Sequence, residues 1–495
     1  MKKYILAIDQ GTTSTRAILV DCNGNPLFKA QRPVECLYPK PGWVEVDPDR
    51  LWVSVVDVIN EVLILSGASM DDVESIGITN QRETTIVWDK KTGKSIYYAI
   101  VWQSKETLEL CSQHEKDAQF IQDKSGLRLN PYFSASKIRF ILDHVEGAQE
   151  RAEKGELLFG TVDSWLIYKM TIGRSHFTDI SNASRTMLFN IFERKWDDEL
   201  LAIWNIPMIM LPEVKGNSND FGEASFFGGK VHITGVAGDQ QAALFGQCCF
   251  EKGDSKNTYG TGCFMLMNTG STPIRSKRGL LTTVAWQIGD EVTYALEGSV
   301  FIGGAVVQWL RDEMGLIKNS EQSEEYASRK PDTAGVYVVP AFVGLGTPYW
   351  DDEARGAVFG LTRGADRHNF VRAALYSIAY QSKDVIETMK EEAHLDLRSL
   401  KVDGGASSNA LLMQFQADML GCEVHLPKCL ETTALGVAYF AGLSSGFFKD
   451  LNHVKSCHCL SKKYLPEMAE DEVERLYSGW LSAVKATMSF KPPRQ

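Results

Sequence analysis

The sequence lacks any run of about 18 apolar residues, the length a helix needs to cross a bilayer. It also lacks an excess of basic residues, since 52 Lys and Arg stand against 63 Asp and Glu. Broad contact with nucleic acid or an anionic membrane requires clustered cations, so we expect neither nucleic-acid binding nor membrane insertion. The apolar segment that follows Lys3 is too short for a signal peptide, and the sequence therefore predicts a cytoplasmic protein.

Two kinds of cysteine chemistry and two nucleotide motifs are missing as well. The ten cysteines include no C-x-x-C pair, and the adjacent Cys248 and Cys249 have poor geometry for a disulfide, so we expect free thiols. Cys457-His458-Cys459 has no second ligand pair at zinc-like spacing, which disfavours a structural zinc. Neither a Walker A motif nor a G-x-G-x-x-G fingerprint occurs, which disfavours two common ways of holding a nucleotide.

What the chain does have is the size and patterning of a mixed α/β protein. Its 495 residues, 44% of them hydrophobic, can bury two substantial cores and favour two domains or more. Strand patterns near residues 4 to 10, 15 to 21 and 26 to 33 predict a meander, and a helix begins at Asp47-Pro48, where Asp can cap and Pro fits the first turn. We expect the domain junction near residues 242 to 256, which divides the chain into 1–245 and 246–495.

Two turns of Gly and small hydroxyl residues lie about 250 residues apart, at Asp9 to Arg16 and at Thr258 to Gly262. Such turns let backbone N–H groups and hydroxyls surround a phosphate. Ordinary β-hairpins remain an alternative, but Asp9 follows a buried strand, where an unpaired carboxylate is costly unless it meets a cation or donors. Two related turns facing one nucleotide are the layout of an actin-like, two-domain phosphotransferase.

Three further polar clusters follow apolar strands, where open α/β sheets place their ligand sites. Asn80 to Glu83 offers an Arg fork and carboxylate acceptors that suit a small polyol, although a solvated loop with a local ion pair is the alternative. Asp239 in Gly238 to Gln241 could accept a hydroxyl proton during phosphoryl transfer or merely cap a helix. Val402 to Asn409 could approach adenine or ribose, or form a tight capped turn.

Six motifs in order resemble the FGGY family of carbohydrate kinases, and within it the members that phosphorylate glycerol. The resemblance runs from about residue 4 to residue 445 and rests on these segments: Asp9 to Ser14, Asn80 to Thr84, Val101 to Gln103, Pro131 to Ser134, Gly238 to Gly246 and Thr258 to Gly262. It implies two actin-like (ribonuclease H-like) ATPase domains with a central cleft, and phosphoryl transfer from ATP to glycerol with Mg²⁺. It also implies a homodimer or homotetramer.

The resemblance carries roles to individual positions of this sequence. In the N-terminal domain it implies polyol binding and the first phosphate loop, and in the C-terminal domain nucleotide binding. Polyol contacts are implied for Arg82, Glu83, Trp102, Tyr132, Asp239, Gln240 and Phe264, with Asp239 as general base and Trp102 and Phe264 walling the carbon chain. Nucleotide contacts are implied for Thr12, Thr13, Ser14, Arg16, Thr261, Gly304, Gln308, Gly405 and Asn409. Asp9 and Asp239 are placed near the magnesium.

The sequence departs from the family pattern at a few positions. Phe140 replaces a usual Trp, Tyr376 stands where an acidic residue is usual, and Ser104 follows Gln103 where Arg is more usual. The segment between Glu213 and Val236 predicts neither a sugar-bisphosphate loop nor a regulatory phosphohistidine. Two alternatives remain open: a kinase of a larger polyol or ketose, and a non-kinase actin-like ATPase, which would not need Arg82, Glu83 and Tyr132.

Overall fold

The computed structural model describes residues 2–490. Its strands are β1 (Tyr4–Gln10), β2 (Ser14–Val20), β3 (Pro26–Pro33), β4 (Glu45–Val46), β5 (Val73–Asn80), β6 (Ile86–Asp89), β7 (Ala99–Ile100), β8 (Leu157–Gly160), β9 (Phe177–Asp179), β10 (Phe189–Asn190), β11 (Lys195–Trp196), β12 (Glu213–Lys215), β13 (Glu223–Ala224), β14 (Val231–Gly238), β15 (Ser255–Tyr259), β16 (Cys263–Gly270), β17 (Leu281–Ile288), β18 (Glu291–Val300), β19 (Tyr337–Val339), β20 (Ala357–Phe359), β21 (Ser399–Asp403), β22 (Glu423–Pro427) and β23 (Leu460–Tyr464).

The α-helices are α1 (Pro48–Ser66), α2 (Leu108–Gln113), α3 (Ala118–Ser125), α4 (Ser134–His144), α5 (Ala148–Glu153), α6 (Val162–Met170), α7 (Ile180–Ala183), α8 (Asp198–Trp204), α9 (Asp239–Gly246), α10 (Ala305–Asp312), α11 (Gln322–Ser328), α12 (Arg367–Ala393), α13 (Ala410–Leu420), α14 (Thr432–Ser445), α15 (Leu451–Cys457) and α16 (Glu470–Ser489). In residues 2–490, no helix has the length and apolar character needed to cross a membrane.

Local chemistry explains why the first elements form where the sequence predicts them. The Asp47 side chain accepts a hydrogen bond from the Asp49 N–H and caps α1, while Gly67 ends that helix with φ of 66°. The antiparallel meander of β1, β2 and β3 is confirmed, and β15 and β16 form a hairpin around Gly260 to Gly262. Helix α13 spans Ala410–Leu420 and directly follows the polar segment Val402 to Asn409.

Two main sheets repeat one strand order. In the first, β3, β2 and β1 form an antiparallel meander, and β5 and β14 continue from β1 in parallel. In the second, β18, β16 and β15 form the antiparallel part, and β21 and β22 continue in parallel. The parallel part begins at β1 in the first sheet and at β15 in the second. The polar residues that follow β1, β5 and β14 therefore lie at one edge of the first sheet. Those that follow β15 and β21 lie at the equivalent edge of the second.

Two helices cross between the sheets with almost no space between their backbones. A Cβ on Gly246 of α9 would lie 2.0 Å from the Thr432 carbonyl oxygen, and a Cβ on Gly436 of α14 would lie 1.9 Å from the Ala242 carbonyl oxygen. Glycine is therefore required at both positions, because any side chain would force the helices apart. Helix α14 also packs on β1, β5 and β14, so a C-terminal segment covers the N-terminal sheet. The division at residue 245 stays a prediction.

Candidate active site

The first phosphate-type turn joins β1 to β2 and places a buried carboxylate beside it. The Gly11 N–H donates to the Ser14 carbonyl oxygen at 2.9 Å, which closes the turn. Asp9 is 7% exposed and pairs with Arg16 at 3.2 Å between Oδ2 and Nη1. Burial, the strongest influence, and the neighbouring Asp239 raise the pKa of Asp9 to about 6 despite the Arg16 guanidinium. A carboxylate held this way gains from a cation.

The second turn lies where three chain segments meet. The carbonyl oxygen of Gly260 accepts the Gly304 N–H at 2.8 Å, and a Cβ on Gly304 would approach that oxygen to 2.7 Å. Gly404 has a φ of 85°, and a Cβ on it would lie 2.6 Å from the Tyr259 carbonyl oxygen. These contacts bring Thr261, the start of α10 and the end of β21 together, and leave Thr261 exposed. The residue types predicted for a nucleotide site therefore border one region.

Three residues predicted to contact the nucleotide make few contacts that would single out a nucleotide. Gln308 is exposed on α10, and a Cβ at Gly405 would meet nothing within 4 Å, so open space lies beside both. Asn409 is buried and caps α13, its Oδ1 accepting the Leu412 N–H at 2.9 Å, while its Nδ2 donates to the Ser323 hydroxyl. Asn409 thus adopts the capped-turn role that the sequence left open. Its role at adenine stays a prediction.

Three aromatic rings form a box between the two sheets. The ring centroid of Trp102 lies 5.5 Å from that of Tyr132 and 6.1 Å from that of Phe264, both edge-on. All three side chains are partly exposed, so they are not plain core residues. The Trp102 indole N–H donates to the Thr12 hydroxyl at 2.8 Å, which ties the aromatic box to the first turn. Phe264 is the wall that comes from the C-terminal sheet.

A buried charged cluster adjoins the box. Arg82 and Glu83 are 2% and 1% exposed, which rules out the solvated loop that was their alternative. Glu83 has a φ of 61°, a left-handed conformation that is strained for a residue with a side chain and is often found at functional sites. The Arg82 Nε lies 3.2 Å from the Asp239 Oδ1. Asp239 is the first residue of α9, so it follows the capping residue Gly238 rather than capping the helix itself.

Two members of this cluster were missed by the sequence reasoning. Glu297 of β18 binds the Arg82 fork at 2.6 Å and 2.9 Å. It also accepts a hydrogen bond from Arg185 Nη2 at 3.1 Å, and Arg185 Nε donates to Glu83 at 2.6 Å. Burial would raise the pKa of Glu297, but Arg185 and Arg82 outweigh it and lower that pKa to about 2. The signal was a lone carboxylate inside an apolar strand, which requires a cation from elsewhere.

Two buried lysines were also missed. Lys256 of β15 donates to the Gln240 side chain and, at 2.9 Å, to the Thr258 hydroxyl, and burial lowers its pKa to about 8. Lys137 of α4 donates to the backbone carbonyl of Tyr132, and burial lowers its pKa to about 7. Each lysine is fully buried next to a residue predicted to contact the polyol. Both lysines therefore hold a residue of the predicted polyol site in place through a hydrogen bond.

The arrangement suits phosphoryl transfer to a small polyhydroxy compound. Asp239 and the Nε edge of Arg82 lie beside the aromatic box and offer an acceptor and a donor for adjacent hydroxyls, while the apolar rings can cover a carbon chain. Asp239 side-chain exposure is 30%, so its carboxylate faces the open part of the site and could accept a hydroxyl proton. Trp102 joins the first turn to the C-terminal sheet, because it contacts both Thr12 and Phe264 of β16.

Known proteins resemble this chain over nearly all of its length. A glycerol kinase of Listeria monocytogenes serovar 1/2a is 55% identical over 495 residues, covering 99% of this chain and 100% of the relative. A glycerol kinase of Oceanobacillus iheyensis is 56% identical, covering 99% of each. A crystal structure of Plasmodium falciparum glycerol kinase with ADP superposes with a TM-score of 0.93 at 35% identity, covering 98% of both chains.

The match extends to both halves of the molecule. The model of the FGGY carbohydrate kinase N-terminal domain matches residues 4–246, and that of the C-terminal domain matches residues 255–445. These ranges contain the strand order that the two sheets repeat, so the expected actin-like fold is confirmed. With two matched domains, full-length relatives and a site built between the sheets, this chain belongs to the FGGY family of carbohydrate kinases.

Proposed function

We propose that this protein is an ATP-dependent glycerol kinase, which transfers the γ-phosphoryl group of ATP to glycerol and yields sn-glycerol 3-phosphate and ADP. Full-length relatives of this activity at 55% identity support the assignment. The observation that carries it is the closed aromatic box of Trp102, Tyr132 and Phe264 beside Arg82 and Asp239, with centroid separations of 5.5 Å and 6.1 Å. The rings contact one another edge to face, so they form an apolar wall beside these charged groups against which a short carbon chain can pack.

Each group has a role in the proposed reaction. Arg82, Glu83 and Tyr132 hold and orient the glycerol hydroxyls, and Asp239 accepts the proton of the hydroxyl that attacks phosphorus. The first turn at Thr12 to Ser14 and the second at Thr261 hold phosphate oxygens through backbone N–H groups and hydroxyls. Closure of the two halves around α9 and α14 excludes water, which would otherwise compete with glycerol.

The residues present also fit a magnesium ion. Asp9 is a buried carboxylate whose pKa is raised to about 6 by burial and by Asp239, so a nearby divalent cation would stabilise its charged form. In residues 2–490, no group of three or more His, Cys, Asp or Glu could hold a metal ion. We therefore infer that Asp9 and Asp239 share the ion with phosphate oxygens and water, the usual arrangement for Mg²⁺. When bound, Mg²⁺ neutralises charge on the phosphates.

One assay tests the proposal against both alternatives. ADP release is measured with Mg·ATP alone, with glycerol, and with longer polyols or ketoses at equal concentration. A glycerol kinase releases ADP only when glycerol is present and forms sn-glycerol 3-phosphate in equal amount. A larger sugar that outcompetes glycerol in kcat/KM would contradict the substrate assignment. ADP release that ignores every acceptor would instead indicate an ATPase.

We also propose a cytoplasmic homodimer or homotetramer. The net charge of −11 and the lack of a membrane-crossing helix in residues 2–490 are compatible with this proposal. Sedimentation of the purified protein across a range of concentrations measures the assembly directly. A monomer at all concentrations would contradict the proposal.

A further inference from the structure

Four buried side chains behind the polyol site pair with one another and carry as many negative as positive charges, with Lys256 next to Glu297 and Lys137 next to Glu83 at their edge. Arg82 and Arg185 supply the positive charges, and Glu83 and Glu297 supply the negative ones; all four side chains are at most 2% exposed. A balanced buried cluster exerts little net field on what binds beside it, whereas an unbalanced one attracts ions of opposite sign.

Glu297 is the member that comes from the other half of the protein. It lies on β18 of the C-terminal sheet, while Arg82 follows β5 and Arg185 follows α7. Its two oxygens take both terminal nitrogens of Arg82, at 2.6 Å and 2.9 Å, so the fork of Arg82 faces a protein carboxylate. Only the Nε edge of Arg82 remains directed toward Asp239, at 3.2 Å. Without Glu297 this fork would be an open binding site for a carboxylate.

We propose that Glu297 is a positioning residue that sets the charge preference of the polyol pocket, making it select an uncharged three-carbon polyol over a three-carbon carboxylic acid. The inference rests on the proposed function and deepens it. Two arginines next to the aromatic box would favour binding of a carboxylate ligand. Glu297 lowers the affinity for such a ligand because it already accepts hydrogen bonds from both arginines. Specificity then comes from an element that disfavours the wrong ligand as much as from contacts to the right one.

A simpler role for Glu297 is to fasten the two sheets together. That role predicts a loss of stability on substitution but no change in the relative affinities of neutral and anionic ligands. The two ideas are separated by the ratio of the glycerate inhibition constant to the glycerol KM, since both ligands fill a three-carbon site and differ chiefly in charge. Isothermal titration with each ligand gives the corresponding ratio of dissociation constants, which does not depend on turnover.

The experiment compares wild type with Glu297→Gln, Glu297→Asp and Asp384→Asn. Gln keeps the shape of Glu297 and removes its charge, so the glycerate-to-glycerol ratio should fall at least roughly tenfold. Asp keeps the charge and should leave the ratio within about threefold of wild type. Asp384 is a buried carboxylate of the C-terminal half that accepts from Tyr477 and Trp480 at 2.7 Å and 2.8 Å, and its substitution controls for lost stability.

A second variant keeps the test decisive if Glu297→Gln folds poorly. Arg185→Gln alone makes the cluster net negative, so it should raise the glycerate-to-glycerol ratio. In the double variant Glu297→Gln/Arg185→Gln the charges balance again, and the ratio should return toward that of wild type. An unchanged ratio in both single variants, or an Asp384→Asn variant that shifts it equally, would overturn the proposal. Wild type that ignores glycerol altogether would instead overturn the proposed function.

Discussion

Replacing Arg82 with Lys tests how the polyol clamp is held. Arg82 makes five polar contacts: two with Glu297 at 2.6 Å and 2.9 Å, one with Gln241 at 3.2 Å, one with Asp239 at 3.2 Å and a longer one with Glu83 at 3.8 Å. One ammonium can keep the charge and the stronger Glu297 contact, but it loses the second Glu297 oxygen and Gln241. Both lost bonds have a charged donor, and such a bond is worth about 1.5 to 3 kcal/mol, so the free energy of unfolding should fall by about 3 to 6 kcal/mol.

The functional effect should be larger on glycerol than on ATP. Because Asp239 and Glu83 lose the group that orients them, the glycerol KM should rise at least roughly tenfold, equivalent to about 1.4 kcal/mol, while the ATP KM changes less than about twofold. Arg372→Lys is the matched control. Arg372 is 9% exposed and donates to Tyr376 and to the Ala327 carbonyl, both at 2.9 Å, away from the site.

Steady-state kinetics in both substrates and thermal unfolding measure these effects in the two variants. Arg372→Lys should lose stability and retain its glycerol KM. If Arg82→Lys keeps its glycerol KM while its ATP KM rises, Arg82 belongs to the nucleotide site. If both variants raise the glycerol KM alike, the effect comes from general destabilisation, and the reasoning about the clamp is refuted.

Three further predictions concern the base, the box and the metal carboxylate. Asp239→Asn should lower kcat by about 10²- to 10⁴-fold with ATP affinity nearly intact, and a kcat above about a tenth of wild type would exclude Asp239 as the base. Phe264→Ala removes one wall, so glycerol kcat/KM should fall more than that of erythritol; an unchanged ratio of the two, measured side by side, would make Phe264 a core residue. The pKa of Asp9 is raised from its ordinary 3.8 to about 6 by burial, so the folded state binds more protons than the unfolded state between these values and stability falls as pH rises through them. Asp9→Asn should therefore stabilise the ligand-free protein by up to about 3 kcal/mol above pH 6, with the gain vanishing near pH 3; thermal unfolding across pH measures it, and equal Tm values for both proteins at pH 7 would contradict it.

Much of the fold was predictable because its signals are local. The Asp47 cap and Pro48 start α1, and Gly262 between β15 and β16 leaves no room for a side chain, because a Cβ there would lie 2.5 Å from the Val300 carbonyl oxygen. Alternating apolar strands identified the antiparallel meander. What such signals cannot supply is which strands lie side by side in each sheet, and the repeated order of the two sheets appears only after folding.

The candidate site divides in the same way. Asp9, Asp239 and Arg82 were found from the sequence because each lies at or just after the end of an apolar strand, where open α/β sheets place their ligand sites. Asn409 shows the limit of such reasoning, because an amide at a helix start can cap the helix or contact a ligand, and here it caps α13. The roles of these residues in catalysis stay predictions.

By itself, the sequence determined the two phosphate-type turns, the polar strand ends and the family to which the motifs belong, because each rests on residues that are near one another in the chain. Only the tertiary structure decided that the Arg82 guanidinium pairs with Glu297, 215 residues away in the chain, and that Arg185 also donates to Glu297. A buried charge requires a partner, but the identity of that partner depends on how two sheets pack around α9 and α14. In the sequence, the only sign of such a long-range ion pair is a charged residue within an otherwise apolar strand.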